Sequence, residues 1–366
     1  MSNSITKIIA TFLLIFVFVI AFFSIQNDSL TMDEQAHLPA GYSYLSQMDM
    51  RLNPEHPPLI KDLSAVPLLF IKNIEFPYDA KAWTTDVNGQ WIFGNTFLFK
   101  SGNPAEQMIL WARIPMILLL ILAGYYIFRF TKELYGNNAS ILALLIFSFS
   151  PTFLAHGRLV TTDVGAALGT IMATYYFMQF LKKPKLITAL KAGLTLGIAE
   201  LLKFSLILLI PFFGIIAIAW IILQSLKVRE NLPGIYEKPA SKKDVLRNFF
   251  KVLGKYTAYG ILIGTIALAL IYVVYLFHVW NYPMERQKSD TSLILSSFSN
   301  KSLVNMAVQM TEMPILRPFA QYFLGLCMIF QRASGTNSGY FIGEISAAGW
   351  KAYFPTVYLI KETLSF

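Results

Sequence analysis

Residues 31–61, TMDEQAHLPAGYSYLSQMDMRLNPEHPPLIK, gather Asp33, Glu34, His37, Asp49, Glu55, His56 and Lys61 directly behind the apolar run ITKIIATFLLIFVFVIAFFSI. Ionisable groups close to hydrocarbon are costly unless they are used or paired. The stretch therefore reads as a site of chemistry at a membrane surface; a solvated polar loop is the plainer alternative. A carboxylate in that position can act as general base on a hydroxyl or amine, with its pKa tuned by partial desolvation. Asp33 and Glu34 are neighbours and point in different directions on a helix, so a shared-proton dyad is not expected. One would do catalysis while the other orients or binds. Glu34 stands three residues before His37, which places both on one helical face. Acids that merely complement a helix dipole would look the same.

Four further clusters carry chemistry-bearing side chains. His156-Gly157-Arg158-Leu159-Val160-Thr161-Thr162-Asp163 supplies cationic donors suited to a phosphate in His156 and Arg158, although Thr162 or Asp163 could simply cap a helix. Lys203, with Glu200 one turn before it, can bind a phosphate as a point charge or be neutralised by that glutamate. In Asn53-Pro54-Glu55-His56-Pro57-Pro58 the prolines impose an extended entry to a helix. Glu55 and His56 are ligands of borderline hardness for a divalent metal, with His278 a further candidate, although a lone Glu-His pair is usually no metal site. Residues 339–355, rich in Gly and aromatics, could stack on sugar rings or form an interfacial belt.

The elements that must position these residues are membrane spans. The 366-residue chain is 55% hydrophobic and only 14% charged, against about 25% charged for a soluble domain, and its mean hydropathy is +0.53. A span needs about 20 apolar residues. The first run, about residues 8 to 25, lacks a cleavage site and reads as a retained span. Further spans are expected at 107–130, 138–156, 163–181, 186–203, 204–226 and 254–279. The fold class is thus an all-α membrane protein with about seven transmembrane helices and amphipathic surface helices in two long extracytoplasmic loops. Small residues at 186–203 place that span inside the bundle. The basic segment 227–255 and the lysines at 182–185 put the N-terminus in the cytoplasm. The loops at about 26–106 and 280–360 then lie outside. The chain divides into a catalytic module, 1–280, and a second loop region, 281–366, leading towards a further span or an interfacial segment. Pro57-Pro58 opens a surface helix over LIKDLSAVPLLFIK, and Asn103-Pro104-Ala105-Glu106 resembles a capping box. The single Cys327 excludes an internal disulfide and a Cys-rich metal site. No aromatic-interleaved basic groove points to nucleic acid.

Five motifs in register carry a resemblance. They are Asp33-Glu34…His37…Gly41-Tyr42; Asn53-Pro54-Glu55-His56-Pro57-Pro58-Leu59…Lys61; His156-Gly157…Thr162-Asp163; Leu202-Lys203-Phe204; and Gly343-Glu344…Gly349-Trp350…Tyr353-Phe354-Pro355…Lys361. Together they resemble the polytopic glycosyltransferases of the GT-C class, most of all the protein mannosyltransferase-like group (glycosyltransferase family 39), with aminoarabinose lipid A transferase as a relative. The resemblance implies an inverting transfer of a sugar from a polyprenyl-phosphate carrier to a protein, lipid or glycan acceptor at the outer face of the cell membrane. It implies Asp33 as general base, Glu34 as its support, and Asp163 as the second acid. Arg158, Lys203 and His156 would hold the lipid phosphate, and His37, Tyr42, Glu344 and Trp350 would meet acceptor or sugar. In the aminoarabinose relative a divalent metal joins a Glu and a His, which maps onto Glu55 and His278. This chain carries His56 where that relative has Lys, and it ends earlier than typical members. A transporter or flippase of lipid-linked sugars, or a non-catalytic assembly subunit, is the alternative.

Overall fold

The computed structural model describes residues 1–230, 242–333 and 338–362. The first apolar run forms α1 (Asn3–Ser24), whose N-terminus is capped by Ser2 accepting from the Ile5 amide. Its buried stripe is Thr6, Ala10, Leu13, Val17 and Ala21, spaced three or four apart. Ile8, Phe12, Ile15 and Phe23 are exposed on the opposite side, as lipid-facing residues are.

The 31–61 stretch and its continuation fold into a helical cap. It comprises α2 (Met32–Gln47), α3 (Leu59–Ala65) with a 3-10 turn at Val66–Phe70, α4 (Lys81–Thr84) and α5 (Gln90–Asn95). α2 ends where Met48 enters the left-handed region at φ 54°. The expected surface helix over 59–72 is shorter and deeper than its amphipathic pattern predicts. Ile60, Lys61, Ser64 and Ala65 are all buried, while Leu69 and Phe70 are exposed beyond it. The capping box expected at Asn103 is absent. Asn103 instead ties the loop, donating to the Glu75 and Phe97 carbonyls and accepting from the Glu75 amide.

The bundle follows. α6 (Ala105–Phe149) contains a bend at Gly136, φ 84°, and this bend divides the two spans expected at 107–130 and 138–156. Then come α7 (Pro151–His156), α8 (Asp163–Lys182), α9 (Leu186–Leu202), α10 (Leu209–Glu230) behind a 3-10 turn at Phe204–Leu208, and α11 (Lys242–His278). Three shorter helices, α12 (Met284–Ile294), α13 (Lys301–Thr311) and α14 (Arg317–Ala333), return towards the cap, and α14 packs on α11. A two-stranded antiparallel hairpin, β1 (Gly339–Phe341) and β2 (Glu344–Ser346), and α15 (Tyr353–Lys361) complete the described chain. The basic segment expected over 227–255 lies partly outside the described residues, at 231–241, as do the last residues, 363–366.

Among the described residues five helices are long and apolar enough to cross a membrane: Asn3–Ser24, Ala105–Phe149, Asp163–Lys182, Phe204–Gln224 and Leu246–His278. The protein is an all-α membrane protein. The count falls below about seven because the bent α6 holds two of the expected spans. α9 is also short, at 17 residues, and carries Lys191 and Glu200. α9 nevertheless sits at the centre, packed against α8 and α11. Its small residues allow this: a Cβ on Gly193 would come within 2.9 Å of the Ile263 carbonyl oxygen on α11.

Candidate active site

α2 is the element that presents the first motif, and two backbone approaches hold it. A Cβ at Gly41 would lie 2.1 Å from the Lys61 carbonyl oxygen of α3, and one at Gly94 of α5 would lie 2.0 Å from the Gln35 carbonyl oxygen. Only glycine permits either crossing. Lys61, fully buried beneath, gathers the chain around its ammonium. It donates to the Asn53 carbonyl (2.8 Å), Asn53 Oδ1 (3.1 Å), the His56 carbonyl (2.8 Å) and the Tyr44 hydroxyl (3.0 Å). Burial pushes its pKa down to about 7. The negative charges of Asp62 and Glu55 favour the charged form and oppose that shift.

The two acids of the first motif part company. Glu34 is completely buried. Oε1 accepts from Arg113 Nε (2.8 Å) and the Val160 amide (3.0 Å), and Oε2 accepts from Arg113 Nη2 (2.7 Å) and from the amide and hydroxyl of Thr31 (2.9 and 3.0 Å). Although burial opposes ionisation, Arg113 and the backbone donors hold its carboxyl below the usual carboxylate range. With both oxygens engaged, Glu34 is suited to positioning: it pins the start of α2 to α6 and to the 157–162 turn. Asp33, one residue earlier, is exposed and is in no salt bridge among the described residues. His37, four residues on, is buried, and its Nδ1 lies 2.9 Å from the Val160 carbonyl.

Several groups that are remote in sequence converge beside His37. The His56 ring meets it edge to face with centroids 5.1 Å apart. Asp163, at the first position of α8, is 2.7 Å from Lys203 Nζ at the end of α9. Glu55 pairs with Arg332 of α14 at 2.5 Å and accepts from Gln90 at 3.1 Å. Burial, then the charges of His37, Lys61, Arg332 and Lys203, holds the His56 pKa well below the ordinary histidine value. Burial, then Lys61, lowers that of His37 as well. Both rings are thus neutral near pH 7, between exposed carboxylates and two partly exposed cations. His56 Nδ1 is buried with no protein partner.

Other expected site residues are placed elsewhere. Arg158 turns to α1, donating to the Ser24 carbonyl (2.7 Å) and pairing with Asp28. His156 is the last residue of α7 and is half-buried. Tyr42 is half-buried against Phe97, with centroids 5.2 Å apart. Glu344 is exposed on the hairpin, and Trp350 packs on Phe341 at 5.6 Å. Asp49 is taken up by Arg51, which lies over the Trp83 ring at 4.1 Å.

The metal expected from the resemblance does not fit. His278 Nδ1 donates to the Val274 carbonyl (2.7 Å) and Nε2 meets Asp62 Oδ1 (3.0 Å), so His278 does not join Glu55. Among the described residues no group of three His, Cys, Asp or Glu is placed to hold a metal ion. Glu55 is neutralised by Arg332, and the surrounding cations would repel a divalent ion.

Two arginines escaped the sequence reading. Arg113 left a signal, a charge inside an apolar span, which by default marks a buried partner. Arg332 left none, because only the return of α14 over the cap brings it to Glu55.

Residues 105–233 match the family model of dolichyl-phosphate-mannose-protein mannosyltransferase. The match covers α6 to α10, including Asp163 and Lys203, and leaves the cap with Asp33 outside it. It supports a membrane glycosyltransferase of the GT-C type. No curated protein matches the chain.

Proposed function

We propose that the protein transfers a sugar from a polyprenyl-phosphate carrier to an acceptor hydroxyl or amine at the outer membrane face, with inversion at the anomeric carbon. Asp33 takes the proton from the acceptor as its oxygen or nitrogen attacks that carbon. The bond to the phosphate oxygen breaks on the opposite side, and its electron pair leaves with the phosphate. Lys203 and Arg332 stabilise the charge that develops there. Arg332 takes the part that the sequence alone assigns to Arg158, whose guanidinium is engaged at α1. Asp163 orients Lys203, and Glu55 orients Arg332. Neutral His56 offers hydrogen bonding beside them without adding charge. Glu34 positions α2 and does not touch substrate.

The observation that carries this reading is the contrast between the two acids of α2. Glu34 is consumed by five hydrogen bonds, whereas Asp33 stands exposed one residue away, on the helix whose His37 meets His56. A base for the acceptor and cations for the leaving phosphate are the two things this chemistry needs. The test is transfer of radiolabelled sugar from a polyprenyl-phosphate donor in proteoliposomes. Asp33→Asn should lower transfer by about 10²–10⁴-fold with unchanged melting temperature; wild-type rates in that variant would overturn the assignment.

A further inference from the structure

Away from the charged site, α8, α9, α10 and α11 line an open apolar groove of about 350 Å³. Along α11 its wall runs from Tyr256 to Ile271, a rise of roughly 22 Å. The shape is a groove for a chain. Gly214 of α10 and Gly260 and Gly264 of α11 lie on its wall, and a Cβ on any of the three would meet nothing within 4 Å. Each interior helical glycine costs about 0.5–1 kcal/mol relative to alanine, so three that border open space are not explained by helix packing.

One carboxyl breaks this lining, at the end near Lys203, while the hydroxyls of Tyr256 and Tyr322 on the same wall both have protein partners. Glu200, 1% exposed, accepts a hydrogen bond from the Tyr322 hydroxyl at Oε2 (2.9 Å), and its Oε1 is buried with no protein partner. A buried polar atom left unsatisfied costs about 1–3 kcal/mol. A ligand that donates a hydrogen bond relieves that cost. A phosphodiester anion offers only acceptors and cannot. The site therefore differs from the cationic one at Lys203 and Arg332 in the head group it selects.

We propose that this groove binds a single long-chain lipid whose interfacial end carries a hydroxyl or amine, which donates to Glu200 Oε1 while the chain lies along Gly214, Gly260 and Gly264. Identifying that lipid as the sugar acceptor rests on the function proposed above; the binding itself does not.

The test uses the full chain in phosphatidylcholine nanodiscs with a diazirine-bearing hexadecanol as photoprobe. Labelled peptides should map to α10 and α11. Unlabelled hexadecanol should compete about tenfold better than hexadecyl methyl phosphate, a phosphodiester anion with no donor, the worth of one net hydrogen bond. Gly264→Leu should abolish labelling by filling the groove, and Glu200→Leu should erase the preference for the alcohol. Asp33→Asn should label like wild type, so that loss of transfer and loss of this site are told apart. Equal competition by the phosphate in the wild-type protein, which requires no variant to fold, would show only bulk hydrocarbon in the groove and would overturn the proposal. Unchanged labelling of Gly264→Leu would do the same.

Discussion

At the scale of single residues, burial separates groups that look alike in the sequence. Asp33 and Glu34 are adjacent acids, yet one is exposed and the other has 0% side-chain exposure against an Arg113 that is equally buried. Removing one partner of a buried ion pair leaves the other charge uncompensated, at a cost of about 3–5 kcal/mol. Glu34→Gln should therefore lower the melting temperature of the purified protein markedly, while Asp33→Asn should leave it unchanged. Equal melting of the two variants would contradict the division of roles. Lys61 shows the same lesson. A lysine on a surface helix reads as an exposed charge, but this one is an internal strut whose four oxygen partners hold the Asn53–His56 turn in place.

At the scale of elements, the site depends on how closely α2 lies between α3 and α5. The Gly41 and Gly94 approaches leave no room for a methyl group, because the atoms they face are backbone and cannot rotate away. Gly41→Ala should separate α2 from α3, costing about 1–3 kcal/mol as overpacking does. It should reduce transfer as well, since Asp33, His37 and His56 would move apart. The check is thermal unfolding together with the proteoliposome assay, and full activity at an unchanged melting temperature would show that the crossing has slack. α14 matters in a comparable way. A Cβ on Gly325 would meet the Phe204 ring at 2.2 Å and the Pro54 carbonyl oxygen at 2.8 Å, so this contact seats the helix that carries Arg332 to Glu55.

At the scale of the whole molecule, the cap, the 157–162 turn, the end of α9 and the end of α14 meet at one end of the bundle, while Lys182 and Lys183 lie at the far end of α8. The lysine distribution predicts that the cap end faces outward. Residue Asp79 in the cap and Lys183 after α8 are both exposed. Cys327 is buried at 2% exposure, so a native thiol should not interfere. In intact cells a membrane-impermeant maleimide should label Asp79→Cys and spare Lys183→Cys until the membrane is opened. The reverse pattern would place the charged cluster in the cytoplasm and remove the basis for a carrier-linked donor presented from outside.

The sequence by itself determined the solvent and the elements. Runs of apolar residues demand hydrocarbon, and that demand is local, so α1, α8, α10 and α11 are legible from hydropathy alone. It also singled out the ionisable groups that stand beside those runs, because their cost near hydrocarbon does not depend on which partner they find. What the partners are was decided only in three dimensions. Glu34 was claimed by Arg113, 79 residues away; Glu55 by Arg332, 277 residues away; and His278 by Asp62 instead of Glu55. Arg158 went to Asp28. Side-chain charge is written in the sequence, but a partner lies within about 3 Å only after helices distant along the chain have packed. Asp33 keeps its place as the proposed base because that same packing left it exposed.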